Sequence, residues 1–199
     1  MAQHILLELD YLKLLRRRKH WNIYFTLATN SPTDPSKMLV TALPGGGTIK
    51  MTKGSDNAIH FVPEGDEGGS GLFVFRHEMP IDHSVQVRLW VMQSRKALKE
   101  VGKVLEGISG FLSKSTGVTD ILSGLGVTQP WITAEKVINK GIGGVGSALD
   151  KTGDRNLGFI NMDEHFGDIY DKDPERDYHG KVSTGYAEIG WTWRVFNTQ

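Results

Sequence analysis

Short runs of strictly alternating side chains, each stopped by turn residues, constrain this chain more than any other feature. In the last of them Ala187, Ile189, Trp191, Trp193 and Val195 alternate with Tyr186, Glu188, Thr192 and Arg194. A period of two sends one set to each face of an extended strand, so the apolar set predicts the buried side of a sheet covered on one face. The same pattern runs through Ser84–Met92, with Val85, Val87, Leu89 and Val91 inward, and through Trp21–Leu27. Ile5–Leu15 mixes alternation with a continuous apolar run and ends in the charged turn Arg16–Lys19. Shorter candidates follow at 37–43, 48–53, 58–63 and 72–77, with a weaker one at 157–162. Proline, glycine and Asx residues at 30–36, 44–47, 54–57 and 65–71 separate them.

At Ser94 the period changes. Leu98, Val101, Leu105, Ile108 and Leu112 form one stripe at helical spacing, opposite Lys96, Lys99, Glu100, Lys103 and Glu106. A second, glycine-rich helix is expected from near Thr133, with Val137, Ile138, Ile142, Val145 and Leu149 on one face, and a short helical turn over Asp120–Leu125. The expected fold is therefore mainly β (α+β): an antiparallel β-sandwich of about eight strands with a helical insertion at about 94–150. The length of 199 residues fits one domain over 1–199.

Composition narrows the function classes. Lys and Arg number 23 against 23 Asp and Glu, so no global field draws the chain to nucleic acid, and no nucleic-acid partner is expected. There is no cysteine, which excludes disulfides, thiol catalysis and cysteine-ligated zinc. Glu8 and Asp10 interrupt the apolar N-terminal run, against a cleaved leader, and no apolar stretch is long enough to span a bilayer. A soluble, cytoplasmic protein is the default expectation, with leaderless export left open.

The chemistry-bearing candidate is the acidic run 168–180, where Asp171, Asp173, Glu175 and Asp177 alternate around Pro174 before Gly180. Such a loop repels itself unless it is solvated or holds a cation. Its Asp171, Asp173 and Asp177 spacing, ahead of a strand introduced by glycine, resembles a loop of the calcium-dependent phospholipid-binding β-sandwich domains of the synaptotagmin and protein kinase C type. Thr33-Asp34-Pro35 ahead of a strand is similar to an earlier loop of the same family, although the first aspartate expected there is absent. The resemblance covers two loops. It implies that Asp34, Asp171, Asp173 and Asp177 supply carboxylate oxygens to calcium, and that the cation switches the loop from repelling anionic headgroups to bridging them. A solvated turn with an aspartate capping a nearby backbone group is the competing reading. An EF-hand does not fit, because Arg176 stands at the glycine position and Val182 at the bidentate glutamate.

Other motifs compete less well. Gly141, Gly143 and Gly146 form a GxGxxG with Asp163 about 20 residues on, but Asn139 and Lys140 replace the apolar strand end that a dinucleotide turn requires. His77, Glu78 and His83 do not make HExxH. Asp163, Glu164, His165 and His179 are a further metal option. No GxSxG or Walker sequence is present, so hydrolytic or phosphotransfer chemistry has no visible carrier. The amphipathic segments 103–114 and 136–151 are read as covering the sheet, with a membrane role as the alternative. The sequence thus predicts a binding module, calcium-assisted and directed to a protein partner or an anionic membrane surface through end loops. A structural subunit that assembles through sheet edges or the helical insertion, and an enzyme with a nucleotide or metal site near 141–165, are the alternatives.

Overall fold

The alternating runs become strands at the places their periodicity predicts. A computed structural model describes residues 2–16, 20–31, 37–44, 48–52, 57–61, 71–95, 118–122, 131–135, 149 and 153–198. The strands are β1 (Ala2–Leu14), β2 (His20–Asn30), β3 (Lys37–Leu43), β4 (Ile49–Thr52), β5 (Ala58–His60), β6 (Leu72–Glu78), β7 (Ser84–Val85) and β8 (Val87–Gln93). They continue as β9 (Val118–Leu122), β10 (Trp131–Glu135), β11 (Arg155–Asn161), β12 (Glu164–His165), β13 (Glu175–Lys181) and β14 (Ala187–Thr198), with one short helix, α1 (Ile169–Lys172), before β13.

Two antiparallel sheets result. The five-stranded sheet runs β13-β14-β1, and the far edge of β1 is shared by β6 against His4–Leu9 and β5 against Tyr11–Lys13. The seven-stranded sheet runs β11-β8-β2-β3-β10-β9, with β4 beside β2, and β12 pairs with β7 as a separate ribbon. Apolar side chains from both large sheets fill one core, including Ile5, Leu7, Leu9 and Leu12 of β1, Phe25 and Leu27 of β2, Leu89 and Val91 of β8, and Trp193 of β14. This is a mainly β, sandwich-like fold.

The mixed pattern of β1 has a local cause. Its register against β14 shifts between Leu9 and Tyr11. The extra residue in this bulge changes the phase, so Leu9 and Leu12 both reach the core although they are three apart, and Asp10 turns to the outer face. Gly190 lies opposite Tyr11, whose ring atoms stand 2.3 and 2.5 Å from where a Cβ would be. The absent side chain is what lets that ring cover the sheet.

Two expectations are corrected. Val118–Leu122 and Trp131–Glu135, read as helical turn and helix start, are strands: β10 pairs with β3 through Ile132↔Val40 and with β9 through Ile132↔Ile121. Trp131, Ile132 and Thr133 are aromatic or β-branched, and the free edge of β3 offers them backbone partners that helical periodicity nearby could not reveal. The remainder of the expected helical insertion, including residues 103–114, 136–148 and the GxGxxG glycines, lies outside the described residues. The acidic run is not a single loop either. Residues 169–172 make one helical turn and Glu175–Lys181 pair with β14 from Glu175↔Arg194 to Lys181↔Glu188. Half-buried Arg176, Tyr178 and Gly180 alternate there with exposed Glu175, Asp177 and His179, a period-two pattern that the density of charge obscured.

Candidate functional site

β1 connects two chemically different ends of the sandwich. Near its start Gln3 lines a cleft of about 330 Å³ together with Val195 of β14, and the other walls come from Met79 and Ile81–His83 and from His165–Asp168, Tyr170 and Asp171. Two tight turns shape it. In the first, the His83 N–H donates to the Pro80 carbonyl at 3.0 Å, His83 takes a left-handed φ of 52°, and Asp82 Oδ1 accepts the Ser84 N–H at 3.2 Å. Asp82 thus closes an Asx turn, and aspartate and histidine suit such positions because their short polar side chains tolerate that backbone. In the second, the Tyr170 N–H donates to Gly167 and begins α1. The turns are tied together by the Phe166 N–H to the His83 carbonyl at 2.7 Å, and His83 Nδ1 lies 3.0 Å from the Phe166 carbonyl.

The floor of the cleft is aromatic and buried. Phe166 packs on Tyr170 at 5.1 Å and edge-on to Trp193 at 5.2 Å, so the floor continues into the core. Burial raises the Tyr170 phenol above its usual range, with nearby Glu164 adding to the shift, so it stays neutral. The rim is apolar and acidic. Ile81, which lines the cleft, is 98% exposed, Ile169, between the lining residues Asp168 and Tyr170, is 59% exposed, and the remaining large exposed apolar residue among those described is Leu15, at the far end of β1. Asp82, Asp168 and Asp171 stand around the opening beside the imidazoles of His83 and His165.

Ser84 Oγ lies 2.9 Å from His165 Nδ1 at the edge of this cleft. The pair has the spacing of a nucleophile and its base, but among the described residues no carboxylate bonds the other ring nitrogen to orient it. Ser84 Oγ also reaches the Asp82 carbonyl at 3.2 Å, so the contact ties the two turns.

The aspartates singled out in the sequence are dispersed across different elements. Asp34 lies outside the described residues. Asp171 is on α1 and lines the cleft, and Asp173 caps the helix C-terminus through its backbone N–H to Ile169. Asp177 sits on β13, where its Oδ1 is 2.8 Å from Thr192 Oγ1, and Asp10 Oδ2 approaches the same hydroxyl at 2.9 Å. One hydroxyl proton serves two carboxylates. Burial raises the Asp10 pKa, the Thr192 hydrogen bond opposes that rise, and the Asp177 charge adds to it. Buried Glu8 extends the row, ion-paired with Arg194 at 3.2 Å, while Arg194 Nε meets Glu175 at 2.7 Å. Burial raises the Glu8 pKa against the pull of Arg194. This acidic row belongs to the outer face of the five-stranded sheet. Among the described residues, no group of three or more His, Asp or Glu is placed to hold a metal ion, and no helix is long and apolar enough to cross a membrane.

Ile81 and Ile169 were not singled out from sequence. The available signal was a bulky β-branched residue inside a turn, between Pro80 and Asp82, where no strand face explains it.

His77 gives the fold an acid limb. Its ring packs against Phe75 at 5.2 Å, and burial lowers its pKa from an ordinary 6.5 to about 4. The unfolded chain therefore takes up the proton first as pH falls, and stability declines between those two values, by on the order of 3 kcal/mol when the limb is complete. Glu8 and Asp10 oppose this, because raised carboxyl pKa values make the folded form take up protons first. Chemical denaturation of His77→Phe from pH 7 to pH 4 is expected to show a smaller loss than the unsubstituted protein. An equal loss would mean that His77 is not the titrating group.

No protein-family model and no curated protein matches the chain. Among solved structures, human GIVD cytosolic phospholipase A2 in complex with methyl gamma-linolenyl fluorophosphonate aligns with 100% of this chain and 18% of that one, at 7% identity and a TM-score of 0.38. This is a weak similarity at the level of the fold, and the chain spans less than a fifth of that protein.

Proposed function

We propose that this β-sandwich is a non-catalytic binding module that engages a protein partner or a membrane surface through the end formed by Met79–His83 and His165–Asp171. The observation that supports this reading is the exposure of Ile81, which lines the cleft, and of Ile169, which follows the lining residue Asp168 on the hydrogen-bonded neighbouring segment, against a single other large exposed apolar residue among those described. Exposing both side chains to water on adjoining turns forgoes roughly 1.5–3 kcal/mol of burial for each. A surface that removes them from water recovers that term, and the packed Phe166–Tyr170 floor limits the ordering cost of binding.

Calcium assistance is the finer part of the proposal. Asp82, Asp168 and Asp171 would repel an anionic membrane, and a cation at this rim would reverse the sign of that interaction. Asp171 is the residue of the sequence-derived set that lines the cleft.

The test compares the unsubstituted protein with Ile81→Asp/Ile169→Asp. One arm is sedimentation with phosphatidylcholine–phosphatidylserine vesicles, with and without calcium, and the other is selection from a displayed random-peptide library. The expected result is binding in one arm that the double variant loses while its melting temperature is retained. Identical behaviour of the two proteins in both arms would refute the site. Heat of calcium binding that disappears in Asp171→Asn would support the cation; no heat and no change in melting temperature would remove it.

A further inference from the structure

The opposite end of β1 has the opposite chemistry. Arg16 follows β1 and Arg155 opens β11, and their guanidinium groups converge on the hydroxyl of Tyr186, with Arg16 Nη1 at 2.8 Å and Arg155 Nη2 at 2.9 Å. The same two groups pack on the Tyr186 ring, at 4.0 and 4.9 Å from its centroid. The Leu15 N–H donates to the Tyr186 carbonyl at 2.9 Å, which fixes the tyrosine against the end of β1.

Two fixed positive charges within reach of one atom repel each other, and a neutral phenol does not compensate them. Among the described residues the ion pairs of arginine belong to Arg194, and neither Arg16 nor Arg155 has a carboxylate within ion-pair distance. The phenol oxygen is saturated as an acceptor by the two N–H donors, while its own proton has no acceptor among the described residues. What the cluster leaves unused among the described residues is therefore donors, the remaining N–H groups of two planar guanidinium forks and one hydroxyl. That arrangement matches a tetrahedral oxyanion, because guanidinium presents paired N–H groups at the spacing of two phosphate oxygens.

We propose that Arg16, Arg155 and Tyr186 form a binding site for a phosphate group. Each guanidinium donates to phosphate oxygens, and the Tyr186 hydroxyl donates its proton to one of them. No bond is made or broken. The site stands about 40 Å of extended strand from the cleft, at roughly 3.3 Å per residue along β1, and is independent of the reading proposed for that end. The phosphate could belong to a lipid headgroup or be free in solution, and exposed Leu15 beside Arg16 is a ready apolar contact for the former.

The probe is inorganic phosphate, titrated calorimetrically into the full chain at constant ionic strength while the arginine Nε–H signals are followed by NMR. Melting temperature alone would not serve, because phosphate stabilises folded proteins by exclusion from their surface. Saturable binding that shifts the Arg16 and Arg155 signals is expected, weakened roughly tenfold or more in Arg155→Gln and in Arg16→Gln. Tyr186→Phe keeps the ring under both guanidiniums and is expected to weaken binding less. A second arm measures calcium-free sedimentation with phosphatidylcholine vesicles with or without phosphatidic acid. Sedimentation that needs phosphatidic acid and both arginines identifies a lipid phosphate, and calorimetric binding without sedimentation identifies a free one. Absence of saturable binding in both arms, or unchanged binding by a folded Arg16→Gln/Arg155→Gln protein, would overturn the site.

Discussion

Trp193→Ala is expected to lower the stability of the fold by about 3–5 kcal/mol. Trp193 is fully buried and meets Phe75 edge-on at 5.5 Å and Phe166 at 5.2 Å, so its removal leaves a cavity between rings held by separate strands and turns. For a chain of this length each kcal/mol corresponds to roughly 2–4 °C of melting temperature. Trp191→Ala is the control. Trp191 is 7% exposed and stacks on half-buried Tyr178 of the edge strand β13, at the margin of the core, where side chains and water can fill the gap, so a smaller loss is expected. Equal losses for the two would mean that the Trp193 contacts add nothing specific. Because Phe166 is also the floor of the cleft, Trp193→Ala should weaken whatever the Ile81 end binds, although Trp193 itself is buried.

The second large effect is expected at Gly158. Its φ of +122° is a conformation that side chains of L-residues rarely adopt, and it sits where β11 shifts register against β8. A Cβ there would stand 2.8 Å from Thr184 Oγ1, 2.9 Å from Val182 Cγ2 and 3.1 Å from the Thr184 backbone nitrogen. The hydroxyl in that crowd donates to the Leu157 carbonyl, and Ser183 N–H donates to Phe159 at 2.7 Å, so the approach ties the β13–β14 turn to the neighbouring sheet. Gly158→Ala should combine backbone strain with overpacking, about 2–5 kcal/mol together. Gly153→Ala separates the two terms: its φ is +76° and nothing lies within 4 Å of the added methyl, so about 1 kcal/mol is expected from strain alone. Urea denaturation of both variants checks this, and a Gly158 loss no larger than that of Gly153 would remove the steric part.

The strands of the two sheets were legible wherever one face is apolar and the other polar, as in Ala187–Val195, because burial of one face imposes that pattern directly; Ser84–Met92 shows the same alternation in its first half, while Trp90 and Met92 bury its second face as well. Glu175–Lys181 escaped notice because a strand at a sheet edge is allowed charge on its open face and half-buried residues on the other. Trp131–Glu135 escaped because one of its two partners, β3, lies about ninety residues away in the chain, and local periodicity carries no trace of that pairing. The four aspartates of the calcium reading were chosen by spacing. The fold sends Asp177 to the Thr192 hydroxyl on the sheet face and Asp171 to the cleft.

By itself the sequence determined that the segments with clear alternation are extended and which apolar face of each enters the core, since those follow from side-chain periodicity and the cost of leaving apolar groups in water. It also set the absence of cysteine chemistry and a formal charge of zero. Only the tertiary structure decided how that charge is distributed, with Asp82, Asp168 and Asp171 around one end of β1 and Arg16 beside Arg155 at the other. Those residues come from segments up to about 140 positions apart, and strand pairing, which no local pattern encodes, is what brings them together.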